Sequence, residues 1–412
     1  MSNPNPPRFL DRRSAPHIAT MILLTSLAAL SMNLFLPSLP GMTLFFDTEY
    51  RVMQVAVAGY LGISAVLQLV IGPISDRYGR RSVMLVSIVV FILASIGCAL
   101  STHIVTFLVF RMIQAAIVAG LILPRAAIRD IYSQAQSGAM IGWVTMGMSV
   151  APMMAPALGG VLDGAFGWTA NFWALAVIGT AALALAYADM GETAVKSTGN
   201  LREQIAQYPS LLLAPRFWGY ALTAAFASGA FFAYLGGAPY VGSEVYEMSP
   251  ERLGIYFGAP AIGYMAGNGI SGRFSNEVGI RKMIAWGTIV TVLGLGLGLA
   301  VDMAGYNTPL SFFGFMIFVG LGNGLVIPNS MAGMLSVRPN LAGTASGLGG
   351  SIMIGGGAGL STLSGILLEN GEGATPLLWL MFLTSVASVV AIALTIRRET
   401  RLEALGGDAP AE

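Results

Sequence analysis

The sequence predicts an all-α integral membrane protein whose twelve transmembrane helices form two similar six-helix halves. Of the 412 residues, 55% are hydrophobic and only 10% are charged, against roughly 25% charged residues in an ordinary soluble domain. A water-soluble globule of this composition would have too little polar surface. Twelve apolar runs and a charged loop that recurs 200 residues later complete the prediction.

A transmembrane helix needs about 20 mainly apolar residues, and twelve runs meet that requirement. Spans one to six lie at 18–40, 53–73, 82–101, 104–125, 138–162 and 168–188, and spans seven to twelve at 217–242, 253–272, 283–301, 310–335, 342–368 and 376–396. The widest polar gap divides the chain. We therefore expect an N-terminal half at 1–190, a cytoplasmic linker at 191–216, a C-terminal half at 217–398 and a cytoplasmic tail at 399–412.

The distribution of basic residues predicts the orientation, because Lys and Arg are retained on the cytoplasmic side. With the N-terminus inside, the inner segments carry 18 of the 21 basic residues; the outer loops hold Arg51 and Arg252, and Arg111 lies within a span. Both termini are thus expected in the cytoplasm.

A formal net charge of +1 provides no electrostatic basis for nucleic-acid binding. The single cysteine, Cys98, excludes an intramolecular disulfide and a cysteine zinc site.

The charged loop belongs to a repeat. GPISDRYGRRSVM at 72–84 aligns without gaps on GRFSNEVGIRKMI at 272–284, and GLILP at 120–124 matches GLVIP at 324–328. Two sequence matches at nearly the same offset indicate a duplicated six-helix unit.

Polar residues at depth are restricted to certain spans. Because such groups are costly against lipid, spans three, six, nine and twelve, which have none, are predicted to form an outer wall, and the others to line a central passage. Alternatively, the amides only tie helices together. The residues concerned are Asn33, Gln54, Gln68, Arg111, Gln114, Asn268, Asn323 and Asn329.

Four motifs resemble those of the major facilitator superfamily, and the twelve-span architecture is similar along nearly the whole chain. GPISDRYGRR resembles the signature between its second and third helices, RMIQAAIVAG at 111–120 that of its fourth, and MGMSVAPMMAPALGGVL at 146–162 the fifth-helix signature of its exporters. SMNLFLPSLPGM at 31–42 resembles the bicyclomycin and chloramphenicol resistance subgroup of drug–proton antiporters. This chain departs from those patterns at Ala115, Ala155 and Asn33, which replace a Gly, a Gly and an acid.

The loop signature is expected to act as a gate. If span two ends near Ser75, arginines after it are favourable at the negative end of the helix dipole, but Asp76 is not explained. The resemblance implies that Asp76 docks on the N-terminus of span eleven in one transport state and so works as a latch; a mere anchor is the alternative. The candidate latch residues are Gly72, Asp76, Arg77, Gly79, Arg80 and Arg81.

In span five, prolines bend the helix and glycines admit a close neighbour. We expect this helix to form a seal against leakage, and a space-filling kinked helix is the alternative. The residues concerned are Pro152, Pro156, Gly159 and Gly160.

In span four, Arg111 and Gln114 share a helix face and are expected to line a cavity, unless Arg111 snorkels to the surface. Arg129 and Asp130 are expected on the inner charged rim.

A broad, mostly apolar pocket could hold a flat amphiphile by burial and stacking, although helix packing is the alternative for every candidate. The candidates are Tyr60, Met146, Phe226, Phe231, Tyr234, Tyr264, Asn268 and Asn323. With Asn33 in place of an acid, proton coupling would need a peripheral carboxylate such as Asp130 or Asp163.

The resulting prediction is a monomeric efflux transporter of the bacterial inner membrane, which exports small amphiphilic drugs or metabolites by alternating access in exchange for protons. Neither a cofactor nor a metal is expected. Uptake of a small solute and a transport-silent sensor are the alternatives. A membrane enzyme is disfavoured, because the only histidines, His17 and His103, lie outside the span interiors and neither HExxH nor a Walker loop occurs.

Overall fold

The computed structural model describes residues 8–132, 140, 143–144, 147–148, 150–194, 208–338, 341–370 and 373–404. Every predicted span coincides with helix in this part of the chain, and the helices are numbered here as the spans. The first six are α1 Ile18–Phe45, α2 Tyr50–Tyr78, α3 Arg80–Ala99, α4 Ile104–Ile131, α5 Val150–Phe166 and α6 Thr169–Asp189. The second six are α7 Pro215–Val245, α8 Ala259–Val278, α9 Ile280–Met303, α10 Pro309–Val337, α11 Ala342–Asn370 and α12 Thr375–Ala404.

Ten of these helices are long and apolar enough to cross a membrane, counting only the described residues. The two others are α5, whose apolar part is Met154–Phe166, and α8, which carries Gly263, Asn268 and Arg273 and follows a short helix, Pro250–Phe257. The all-α membrane architecture predicted from the sequence is confirmed.

The helices extend beyond the apolar runs. The α2 helix continues to Tyr78 rather than ending near Ser75, and α12 continues to Ala404. Hydropathy marks only the part of a helix that crosses hydrocarbon, whereas backbone hydrogen bonds continue until a residue breaks them. At the end of α2 that residue is Gly79, whose φ of +96° requires the left-handed freedom of glycine.

The chain divides into two compact units. One comprises Met1–Leu201 with Ser249–Ile255, and the other comprises Arg202–Met248 with Tyr256–Glu412. The two units repeat unusual backbone conformations at the same offset of 200 residues. Gly79 and Gly279 have φ of +96° and +90°, and the non-glycine residues Asp47 and Glu247 have φ of +46° and +49°.

Outer stripes of apolar residues also repeat. Val86, Val89 and Leu93 are exposed on α3, and their counterparts Trp286, Ile289 and Leu293 are exposed on α9. Their spacing of three and four residues places each set on one helix face, as lipid-facing walls require. The structure thus gives these two helices the arrangement that the absence of deep polar residues predicts.

In the second unit, α8 and α10 pack backbone to backbone. A methyl group added at Gly263 or Gly320 would collide with the carbonyl oxygen of Ile317 or of Pro260, and one added at Gly324 would lie 2.7 Å from the carbonyl oxygen of Tyr264. Small residues allow such close helix contacts in membranes. Asn329 adds a polar tie between the same helices, because its Nδ2 donates to Ser271 Oγ at 2.7 Å.

Candidate functional site

The first unit contains a fully buried arginine. The Arg111 guanidinium of α4 lies between two aromatic rings, with its Cζ 4.3 Å from the ring centroid of Phe35 on α1 and 4.0 Å from that of Tyr60 on α2. Its Nε donates to the carbonyl oxygen of Ala56 at 3.1 Å. Three helices therefore hold this cation, and it does not snorkel.

Polar side chains extend the contacts of Arg111 toward α3, and together with the rings of Phe35 and Tyr60 they form the arginine cluster. Arg111 Nη1 donates to Gln114 Oε1, and Gln114 Nε2 donates to Ser95 Oγ at 2.7 Å. Tyr60 donates its hydroxyl hydrogen to Ser31 Oγ at 3.2 Å. The predicted pair of Arg111 and Gln114 is thus in direct contact, within the protein interior rather than at a surface.

None of the described residues that contact Arg111 in the arginine cluster carries a carboxylate. Among the described residues, Arg111 forms no ion pair, so carbonyl and amide oxygens and two π faces compensate its charge. An uncompensated buried charge would cost many kcal/mol, whereas a desolvated cation–π contact contributes about 2 kcal/mol. The aromatic sandwich therefore keeps a guanidinium buried without an acid.

Asn33 lies on α1 two residues before Phe35. It is buried, and its Nδ2 donates to the carbonyl oxygen of Ala29 at 2.7 Å, one turn earlier on the same helix. The α1 helix is interrupted directly afterwards, at the 3₁₀ turn Leu36–Ser38. The amide thus stabilises the last regular turn before the break.

Arg80 is the centre of the charged loop. Its Nη1 lies 2.6 Å from Asp76 Oδ1 and also donates to Ser75 Oγ, and its Nε lies 3.1 Å from Asp130 Oδ2. Its backbone amide donates to Glu192 Oε1 at 2.8 Å. Arg80 therefore joins the end of α2 to the end of α4 and to the segment after α6.

The other loop residues occupy the rim of the first unit. Arg81 donates to the carbonyl oxygen of Tyr187 at 3.0 Å and lies over its ring, and Arg77 lies over the ring of Tyr78. Gly72 accepts a hydrogen bond from Ser75. Arg129 directly precedes Asp130 on α4 and is exposed.

This arrangement corrects the electrostatic explanation of the arginines. Arg77 does lie in the last turn of α2, but Arg80 and Arg81 begin α3, where the helix dipole is unfavourable for a cation. Arg80 forms ion pairs with the carboxylates of Asp76 and Asp130, and these explain instead why a cation is favourable at this position. The docking of Asp76 on span eleven stays a prediction.

The glycines of α5 lie where other backbone segments approach. A methyl group at Gly159 would collide with the carbonyl oxygen of Leu34, and one at Gly160 with that of Pro250. The segment that contains Pro250 approaches α5 closely at a second point, because a methyl group at Gly254 would collide with the carbonyl oxygen of Pro156. Residues 249–255 and the interrupted part of α1 thus contact α5 closely. Pro152 lies in α5, but its side chain is outside the described residues.

Two further residues of this contact were missed from the sequence. A methyl group at Gly164 would collide with the carboxylate of Glu251. The spacing of Gly160 and Gly164 by four residues was a usable signal, since it places both on one helix face. Glu251 carried no signal, because its partner helix is far away in sequence.

The predicted pocket residues have different environments. Tyr60 is buried in the arginine cluster, and Tyr234 is fully buried with its hydroxyl donating to the carbonyl oxygen of Phe257 at 3.0 Å. Phe231 is half-buried and stacks on Tyr234; Phe226 and Tyr264 are half-buried on α7 and α8. Packing therefore accounts for Tyr60 and Tyr234. Met146 lies outside the described residues.

Two amides beside the α8–α10 contact, those of half-buried Asn268 and buried Asn323, have buried hydrogen-bonding atoms that are unused in the described part of the chain. Asn268 Nδ2 and Asn323 Oδ1 have no partner in the described part of the chain. Buried polar atoms are nearly always satisfied in proteins, so one donor and one acceptor are available here to a polar ligand or to water.

Known proteins resemble this chain in sequence and in fold. The bicyclomycin resistance protein homolog of Haemophilus influenzae is 28% identical over 91% of this chain and 94% of that protein. The chloramphenicol resistance protein of Pseudomonas aeruginosa is 30% identical over 80% of this chain and 79% of that protein. A D-xylose–proton symporter of solved structure shares the fold, with a TM-score of 0.76 over 92% of this chain and 96% of that chain, at 13% identity.

The match to a family sequence model covers nearly the whole length of the chain. A sequence model described as Major Facilitator Superfamily matches residues 21–362 and 243–409. The two matched ranges together include all twelve helices except the first residues of α1. The chain therefore belongs to the Major Facilitator Superfamily.

Proposed function

We propose that the protein exports small amphiphilic drugs or metabolites across the bacterial inner membrane by alternating access, in exchange for protons. The observation that carries the proposal is the close contact of α5, through Gly159 and Gly160, with α1 and with residues 249–255. A side chain larger than glycine would separate these segments. The contact suits a seal on the outer side, and the names of the two resistance proteins support export of antimicrobial compounds.

The described interior favours neutral or zwitterionic substrates. The buried acidic residues in the described part of the chain are Asp189, Asp302 and Glu399, and each lies at or near the end of a helix. The unpartnered amides of Asn268 and Asn323 can each form a hydrogen bond with an uncharged polar group. Half-buried rings such as Phe226 and Tyr264 add apolar surface. Within the described residues, no buried carboxylate at depth is thus available to a cationic drug.

Growth and transport assays test the proposal. We expect expression in a host that lacks its own drug pumps to raise the inhibitory concentration of neutral amphiphiles such as phenicols, relative to the empty vector. In everted vesicles, the same compounds should accumulate inside on addition of a pH gradient. Increased sensitivity of the cells would instead indicate uptake. Unchanged growth together with no solute movement would indicate a transport-silent sensor.

The proposed topology places both termini in the cytoplasm, and reporter fusions check it. A reporter that is active only outside the cytoplasm should work when fused after Asp47 or Glu247, the equivalent outer turns of the two halves, and fail after Arg81 or Lys282. The opposite pattern would refute the orientation. The protein is further proposed to act as a monomer and as a transporter rather than an enzyme.

Substrate charge gives a second prediction, at Asn33. Wild-type protein should transport a permanent lipophilic cation, tetraphenylphosphonium, poorly, and Asn33→Asp should improve that transport by about tenfold, since a buried ion pair worth about 1.4 kcal/mol changes affinity by that factor. Phenicol transport should not improve. The measurement is uptake of both compounds into everted vesicles.

Asn33→Ala is the matched control, because it also removes the hydrogen bond to Ala29 but adds no charge. Efficient transport of the cation by the wild type, or an equal gain in Asn33→Ala, would contradict the charge argument. Transport that continues after the pH gradient is collapsed would contradict proton coupling.

A further inference from the structure

A cavity of about 520 Å³ opens at one end of the second unit. Its lining comes from the first turns of α7 and α9 and the last turns of α8, α10 and α12. This volume lies within the about 300–1,000 Å³ that ligand sites usually have. In the proposed topology the cavity faces the cytoplasm.

The cavity has an excess of positive charge. Three cations line it, Arg216, Arg281 and Lys282, against one carboxylate, that of Glu399. The carboxylate is already engaged: Arg216 Nε lies 2.6 Å and Arg281 Nη1 3.6 Å from its oxygens, and the Tyr220 hydroxyl donates to it at 3.0 Å. Lys282 is exposed and forms no ion pair with a described residue.

The start of α9 adds hydrogen-bond donors. The cavity is lined by Gly279, Ile280, Arg281 and Lys282, the N-cap and first turn of this 24-residue helix. The first amides of a helix have no partner within it and favour an anion. No side chain caps this helix, and the Ile280 amide has no partner in the described part of the chain.

The internal repeat shows what such a position binds. Arg80 is the counterpart of Ile280 in the gapless alignment of the two loops. In the first unit, the Arg80 amide donates to Glu192 Oε1 at 2.8 Å, and the Glu192 carboxylate lies directly against Gly79. In the second unit, a methyl group at Gly279 would meet no atom of the described residues within 4 Å. The protein's own carboxylate thus occupies the anion position in one unit, and a basic cavity occupies it in the other.

We propose that this cavity binds a phosphate group, carried by an anionic phospholipid headgroup of the inner leaflet or by a soluble phosphate. The phosphate accepts from the Ile280 amide in the position that Glu192 takes in the first unit, and Lys282 and Arg281 neutralise its charge. The inference concerns a site apart from the drug pathway, although the leaflet follows from the proposed topology.

Thermal unfolding of the purified full-length protein in a neutral detergent tests the proposal. Dioctanoyl phosphatidylglycerol should raise the unfolding temperature saturably, whereas dioctanoyl phosphatidylcholine, which has no net charge, should not. A parallel titration uses sodium phosphate against sodium chloride of equal ionic strength. Stabilisation by phosphatidylglycerol alone identifies the lipid headgroup, and stabilisation by both identifies phosphate in general. Stabilisation by neither overturns the proposal.

Variants locate the effect. Lys282→Gln should weaken the phosphatidylglycerol titration about fivefold, the effect of one basic residue near an anionic lipid. Ile280→Pro should also weaken it, because proline is tolerated at the first position of a helix but has no amide hydrogen. Arg273→Gln is the matched control: it removes one positive charge near the end of α8, but Arg273 does not line the cavity. An equal loss in Arg273→Gln would overturn the proposal.

Discussion

Asp76→Asn is expected to reduce transport to less than about a tenth while leaving the folded protein in the membrane. Asparagine keeps the shape of the side chain but removes its charge. Arg80 would retain Asp130, Ser75 and the contact of its amide with Glu192, so the loop should stay assembled. A carboxylate at a helix N-terminus contributes up to about 2 kcal/mol when partly buried, which is enough to shift a two-state equilibrium by more than tenfold.

Two controls separate a latch from an anchor. Glu192→Gln removes another carboxylate that contacts the Arg80 segment, and the glutamine oxygen still accepts the amide hydrogen bond. If the charged loop only anchors helices, both variants should retain most transport. If Asp76 is the latch, only Asp76→Asn should lose it, and Arg77→Lys should be mild. The measurements are drug uptake into everted vesicles and the amount of folded protein in the same membranes. Normal transport by Asp76→Asn would reduce the loop to an anchor.

The membrane fold was predictable because hydropathy and charge are local properties. A run of about 20 apolar residues is long enough to cross the bilayer. Every predicted span coincides with helix in the described part of the chain, and ten of these helices are long and apolar enough to cross a membrane. Helix ends were less predictable, since they depend on single residues such as Gly79, where φ becomes positive. The pairing of Arg80 with Asp130, which is 50 residues away in sequence, follows only from the tertiary structure.

The candidate site was predictable in part for the same reason. A helix places Gln114 one turn from Arg111, and the structure brings the two side chains into contact. The rings that enclose the guanidinium come from α1 and α2, and no sequence spacing connects them with α4. Tyr60 is an example of this limit. The sequence allows either a substrate pocket or helix packing for this aromatic residue, and its contact with Arg111 is visible only in the structure.

Arg111→Lys is expected to abolish transport and to lower stability by about 2–4 kcal/mol, although it keeps the positive charge. The planar guanidinium can stack between Phe35 and Tyr60 and still donate to the Ala56 carbonyl and to Gln114. An ammonium is a compact, strongly hydrated charge that cannot match this geometry. A buried charge that loses its partners costs several kcal/mol, so we expect the lysine to perturb the contacts among α1, α2 and α4.

Matched substitutions show which property of the arginine cluster matters. Arg125→Lys, at a half-buried arginine of the same helix, should leave transport and the unfolding temperature nearly unchanged. Phe35→Leu removes one aromatic face but keeps an apolar side chain, and should cost about 1–2 kcal/mol, in line with the loss of one cation–π contact. Thermal unfolding of purified protein and vesicle transport are the two readouts. Full transport by Arg111→Lys would show that charge alone suffices, and the aromatic sandwich would then be a packing feature without a role in transport.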